Sequence, residues 1–273
     1  MSSAFPKVAA AVLLAMPAVA AADDLVVCAD PNNLPFSNEA GEGFENRIAA
    51  IIADELGMDL RYEWRAQRRG FIRETLNAGL CNLVPGIEAN VEPLLTTRPY
   101  YRSGYVFVTR TEDGLDIADF DDPRLRDLTV GVQLIGDDGA NTPPTDILAE
   151  RGIIDNLRGY PVYGNYADPD PAEPIIAAVA SGAIDVAIVW GPVAGWYAPR
   201  QDVPLTVTPG PELDQETVIP LAFDIAMGGR RGDLKFMIDV DRAIAARQAE
   251  IDAVLADYGV PRFDAFRLIG GAP

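Results

Sequence analysis

Leu25–Cys28 is a run of four apolar residues with no polar interruption, and a polar loop bracketed by Pro31 and Pro35 follows at once. Such a run reads as a strand buried on both faces, and the prolines forbid its continuation. Past the loop, Phe44, Ile48, Ile51, Ile52 and Leu56 recur at helical spacing, with Gly57 as the stop. Buried strand, polar loop and amphipathic helix make the first half of a βαβ unit, which commits this part of the chain to a parallel sheet with covered faces. Ligands in such sheets sit beyond the carboxyl ends of the strands. Asp30, Asn32, Asn33 and Phe36 are therefore candidates for lining a cleft. The plainer alternative is an ordinary turn closed by Asx hydrogen bonds.

The pattern then repeats. Leu60–Trp64 alternates as a half-exposed strand, Phe71–Gly79 reads as a short helix, and Cys81–Val84 as a second buried strand. Tyr105–Thr109 is another strand, and the acidic stretch to Asp127 reads as a crossing between lobes. A second series opens at Thr129–Gln133. Thr142 is a good N-cap with Pro143 at the first helical position, and Gly152 ends that helix. Strands at 159–163 and 184–190 alternate with helices at 175–182 and 191–197, and 204–208 is short and extended. Val218–Met227 returns as a strand, and Asp233–Tyr258 as a long helix. The layout predicts two α/β lobes joined by two crossings over an interlobe cleft, with residues 23–110 and 217–273 in one lobe and 111–216 in the other.

Composition narrows the function. The net charge of −19 leaves no basic face for nucleic acid or an anionic membrane. Histidine is absent, which excludes Ser-His-Asp and Cys-His nucleophilic sites, histidine-ligated metals and the commonest general acid or base. Neither a cofactor nor a metal site is indicated. Residues 1–22 read as an export signal: Lys7, an apolar run over Val8–Met16, and Ala18-Val19-Ala20 before cleavage after Ala20 or Ala22. No cysteine at that site suggests a lipid anchor, so a soluble protein in an oxidising, exported compartment is expected. There Cys28 and Cys81 are expected to pair, the alternative being two buried thiols.

Several other side chains are candidates. Trp190, Trp196 and Tyr197 form either an apolar cleft wall or packing at the hinge. Of Tyr100 and Tyr101, one is expected at the cleft and one in the core, and Tyr100 is taken for the cleft. Arg68 and Arg69 stand beyond a strand end, where they either hold an acidic group or pair with internal carboxylates. Asn141 and Thr142, with Asp137 and Asp138, bring oxygen atoms together in no defensible calcium-loop spacing, and a solvated loop is the plainer reading. Asp168-Pro-Asp170-Pro reads as a rigid acidic surface loop.

Over the mature chain, TTRPYYRSGYVFVTR, LTVGVQ, AAVASGAIDVAIVW and LAFDIAMGGRRGD resemble the two-crossing (type II) periplasmic binding proteins that serve importers of amino acids. The resemblance fails at the ligand clamps. Where amino-acid binders carry an arginine before the Pro-Tyr pair, this chain has Asn90 beside Ala89. Their carboxylate-binding nest is replaced by LIGDDGANTPP, and their late aspartate by Trp190-Gly191-Pro192. A narrower match accommodates these changes. CADPNNLPFSN, QRRGF, TLNAGLCNLVPGI, RGIIDNLRGYPVYG and VWGPVAGWYA resemble the binding-protein-like family associated with quinoprotein (PQQ-dependent) alcohol dehydrogenases, which includes the MoxJ and XoxJ accessory proteins of methanol oxidation. That resemblance implies a monomeric periplasmic factor, without catalysis, that engages a PQQ-dependent methanol or related alcohol dehydrogenase during maturation or activation. The alternatives are a solute-binding subunit of an ABC importer, with a small polar ligand in the cleft, and an enzyme such as a dehydratase on the same scaffold.

Overall fold

The computed structural model describes residues 23–135, 140–162 and 168–263. The expected export signal, Asp137 and Asp138, the start of the loop before Asp168, and the tail beyond Phe263 lie outside the described residues.

The first lobe opens with strand β1 (Asp24–Ala29), the two-residue strands β2 (Asn32–Asn33) and β3 (Ser37–Asn38), and helix α1 (Phe44–Leu56). Strand β4 (Asp59–Trp64), helix α2 (Phe71–Glu74), and strands β5 (Val84–Glu88) and β6 (Leu95–Thr96) follow. Strand β7 (Tyr101–Arg110) leads into the second lobe, which contains β8 (Val130–Ile135), β9 (Ala140–Asn141), α3 (Pro143–Glu150), β10 (Leu157–Pro161), α4 (Pro174–Ala180), β11 (Val186–Trp190), α5 (Gly191–Tyr197) and β12 (Leu205–Pro209). Strand β13 (Ala222–Gly229) and helix α6 (Leu234–Asp257) return to the first lobe.

β1 and β4 pair in parallel from Asp24↔Asp59 to Ala29↔Trp64. In the second lobe β10, β8 and β11 are parallel, and β7 lies antiparallel to both β11 and β12. β7 is the shared element. Its residues 101–104 pair with β13 and its residues 105–109 with β11. One continuous strand thus forms the first crossing, and the four residues ahead of Tyr105 become strand because β13 lies beside them.

Three elements are displaced from their sequence positions, each for a local reason. Cys81–Leu83 follows β1 without forming a full strand: the Cys28 N–H donates to the Leu83 carbonyl at 2.9 Å, and the Asn82 side chain accepts from the Val26 N–H. The chain runs straight on into β5, which pairs antiparallel with β13 from Val84 onward, with a register irregularity at Pro85-Gly86 where Gly86 takes a φ of 71°. β13 starts at Ala222 because Asp214 holds residues 214–218 in a turn, its Oδ1 accepting from both the N–H and the hydroxyl of Thr217, with Val218 at φ 58°. α2 stops at Glu74, where the Thr75 hydroxyl bonds back to the Phe71 carbonyl and competes with helix continuation.

The first lobe packs α1 and α6 on β1 and β13, with Leu25, Val27, Phe44, Ile48, Val240, Ile244 and Leu255 fully buried. The second lobe has an apolar layer on each side of its sheet, one around Val106, Ile176 and Val189, the other around Phe107, Leu125 and Ile147. Cys28 and Cys81 form a disulfide with Cα atoms 5.6 Å apart, packed with Phe71, Leu76 and Val84. Hydrogen bonds also tie the lobes together. The Tyr197 hydroxyl on α5 donates to the Leu34 carbonyl, and the Asn32 amide donates to the Asp168 carbonyl at 2.9 Å.

Candidate functional site

A cavity of about 360 Å³ lies between the lobes. The first lobe contributes Asn33, Phe36, Gln67, Gly86 and Glu88 from the ends of its strands, and Glu45 from the first turn of α1. The second lobe contributes Gln133 and Ile135, the start of α3 at Thr142 and Pro143, then Val162, Ala172, Trp190 and Val193. The joining strands add Tyr101, Tyr105, Phe223 and Ile225. The cavity therefore sits where open α/β sheets place their ligands.

Of the candidates read from the sequence, Asn33, Phe36, Thr142 and Trp190 line this cavity. Asp30 does not: it is fully buried, its carboxylate accepting from the N–H of Asn32 at 2.9 Å and of Gln67 at 2.7 Å. Its role is to pin two strand-end loops together, so the Asx-turn alternative describes it. Asn32 is spent on the contact to Asp168. Arg68 and Arg69 are exposed at the carboxyl side of β4, outside the cavity wall. Asn141 is exposed and donates to Asp146 at 2.8 Å. The assignment of Tyr100 to the cleft is reversed. Tyr100 is buried, with its oxygen accepting from the Gly86 N–H at 3.1 Å, and Tyr101 faces the cavity, as strand alternation requires.

The aromatic cluster divides. Trp190 lines the cavity, its ring 5.6 Å from Tyr105 and 6.0 Å from Phe223. The Trp190 backbone N–H donates to the side-chain oxygen of Gln133, and the Gln133 backbone carbonyl accepts from the Thr142 hydroxyl. Trp196 stacks on Tyr258 at 4.6 Å and serves the hinge side. Tyr197 is buried against the lobe contact, where desolvation and the neighbouring Asp170 carboxylate raise its hydroxyl. The Asp168–Asp170 segment, expected as a free surface loop, thus takes part in the lobe contact.

Glu45 is the residue the sequence reading missed. It is 4 % exposed, yet it lines the cavity, and burial pushes its carboxyl up to about 8. Among the described residues its side chain makes no hydrogen bond or ion pair. The loop before α1 fixes its position, with the Phe44 and Glu45 N–H groups donating to the Pro35 and Phe36 carbonyls at 2.8 and 2.9 Å. A β-carbon at Gly86, where φ is 71°, would collide with its carboxyl oxygen. One signal was available: Glu45 sits three, four and seven residues before Ile48, Ala49 and Ile52, on the apolar face of α1.

Among the described residues, the charged side chains lining the cavity are Glu45 and Glu88, with no arginine or lysine. Among the described residues, no group of acidic or cysteine side chains suits a metal ion, and no helix is long and apolar enough to cross a membrane.

No protein-family model matches the chain. It is 33% identical over 253 residues to protein MoxJ of Methylorubrum extorquens, covering 88% of this chain and 82% of that protein. It is also 33% identical over 265 residues to protein MoxJ of Paracoccus denitrificans, covering 93% and 94% respectively. Among solved structures, the periplasmic binding protein XoxJ of Methylobacterium extorquens AM1 is 38% identical with a TM-score of 0.72, over 88% of this chain and all of that one.

Proposed function

This chain belongs to the MoxJ family of periplasmic binding proteins, and from that premise we propose that it is a periplasmic accessory factor which binds a PQQ-dependent methanol or related alcohol dehydrogenase and assists its maturation or activation. The protein binds and does not catalyse. The observation that carries this reading is the cleft. Among the described residues the cavity wall offers no cationic side chain to clamp a carboxylate, and Trp190 and Pro143, which line it, occupy the stretches that replace the ligand clamps of amino-acid binders in the sequence resemblance. The scaffold is retained and the importer's clamps are not. The acidic surface, at a net charge of −19, supplies a field that steers a basic partner.

The test is calorimetric titration of a purified PQQ-dependent methanol dehydrogenase from the same source, in cofactor-free and cofactor-loaded forms, at low and high salt. Expected is direct binding that weakens with salt. Preference for the cofactor-free form assigns maturation, and preference for the loaded form assigns activation. No heat with either form refutes the proposal. The interlobe cavity favours one second reading, a solute-binding subunit of an importer, whose mark would be a small ligand that changes the angle between the lobes.

A further inference from the structure

Glu45 presents a carboxyl group that is more than nine-tenths buried, faces the interlobe cavity and has no partner among the described residues. A buried ionisable group with nothing to answer it is costly, and its retention calls for an occupant that does. The first turn of α1 favours negative charge there, which helps the group to ionise when a counter-charge arrives. The surrounding wall agrees. Tyr101, Tyr105, Trp190, Phe223 and Phe36 surround the cavity with aromatic rings, and ring π-systems attract organic cations. Glu88 adds a second carboxylate at the exposed end. Among the described residues, no Lys or Arg lines the space to compete for these carboxylates or to hold an anion. A zwitterion would find a partner for its amine and none for its carboxylate.

We propose that the interlobe cavity is a binding site for a small free organic ammonium ion, its charged nitrogen against the Glu45 carboxylate and its carbon substituents among the rings of Tyr101, Tyr105, Trp190 and Phe223. A cavity of about 360 Å³ lies at the small end of ligand sites, which suits a short alkylammonium ion. The Glu45 carboxylate accepts N–H donors from a primary or secondary ammonium, and Gly86 keeps the space beside that carboxylate clear of a side chain. The site stands independently of the dehydrogenase reading, since it rests on the cavity wall alone.

The test is titration of the purified mature protein at pH 9, where Glu45 is ionised even in the empty site, with n-butylammonium, tetramethylammonium, butanoate and butan-1-ol, followed by calorimetry and by tryptophan fluorescence. Expected is saturable binding of n-butylammonium with one site per chain, and no matching response to butanoate or butan-1-ol. Glu45→Gln should weaken that binding about tenfold or more, the loss expected for a charge-assisted hydrogen bond. Trp190→Leu, which leaves Glu45 untouched, should weaken it as well and remove the fluorescence response. Tetramethylammonium binding as tightly as n-butylammonium would overturn the direct N–H contact to Glu45. Absence of saturation up to about 10 mM n-butylammonium, equal binding of butanoate, or an unchanged affinity in a folded Glu45→Gln protein would overturn the site. None of these outcomes bears on the dehydrogenase titration, so the two proposals fail separately.

Discussion

Replacing Glu45 with Gln removes the ionisable group from the cleft and keeps its shape. In the unfolded chain this carboxyl titrates near 4.5, whereas in the folded protein burial raises it to about 8. Between those values the folded state holds a proton that the unfolded state has released, so raising the pH favours unfolding. The parent therefore loses stability from this group as pH climbs from 4.5 to 8, and the loss levels off above that. A rise from 4.5 to about 8 is worth about 5 kcal/mol at full deprotonation and about 3 kcal/mol at pH 7. The Gln variant carries no such penalty. Its stability relative to the parent should grow by those amounts between pH 4.5 and pH 9, whatever constant offset the amide itself brings. Urea unfolding followed by tryptophan fluorescence at pH 5, 7 and 9 measures the difference directly. Other carboxylates titrate alike in both proteins and cancel. Two parallel stability profiles would refute the claim that Glu45 is desolvated and unpaired. A parent that gains on the variant as pH rises would mean a cation is already bound there.

Two further predictions concern stability alone. Arg151 on the second lobe is nearly buried and bonds Asp214 at 2.6 Å and Asp121 at 2.8 Å. Burial pushes the Asp214 carboxyl up, but hydrogen bonds from Thr217 and Arg151 outweigh it and hold the group below its usual value. Its stabilisation is therefore present above pH 3.8 and lost as pH falls below it, and Arg151→Ala should cost about 3–5 kcal/mol near neutrality by stranding the buried carboxylate; a change under about 1 kcal/mol in urea unfolding would contradict this. Reducing the Cys28–Cys81 bridge frees a segment of 53 residues and should cost about 4 kcal/mol, read as a fall in thermal midpoint on adding a reductant that a Cys28→Ser, Cys81→Ser double variant does not show.

The architecture was legible because both lobes are written in short apolar runs that alternate with amphipathic helices. Wherever a strand is buried on both faces, as at Val186–Trp190, its position follows from composition alone. The displaced elements are those set by partners far along the chain. Tyr101–Gly104 lies ahead of the strand expected at Tyr105–Thr109 and joins it only because β13 is beside it. Cys81–Leu83 reads as a strand, but the ladder begins only at Val84, where β13 lies alongside as a partner. The cleft was half legible. Trp190 and Thr142 stand at recognisable strand and helix ends, and the structure brings both to the cavity. Asp30 has the right place and the wrong job, since a carboxylate that satisfies two loop N–H groups looks the same in sequence as one that awaits a ligand. Glu45 was obscured by the opposite ambiguity, because an acid in the first turn of a helix is usually there for the helix.

The strand shared by the two lobes has a mechanical consequence. Any change in the angle between the lobes has to bend β7 within its own hydrogen-bond ladder, near Gly104 and Tyr105, where the Tyr105 N–H meets the Leu221 carbonyl and the Tyr105 carbonyl meets the Gly210 N–H. Arg102 fastens the same place, reaching Glu212 of the returning crossing at 2.9 Å and Asp224 of β13 at 3.2 Å. A joint of this kind behaves as a leaf spring and not as a swivel. It stores energy over a small arc, returns to one resting angle, and transmits a push on either lobe to the floor of the cavity through Tyr101 and Tyr105, which stand on either side of the bend.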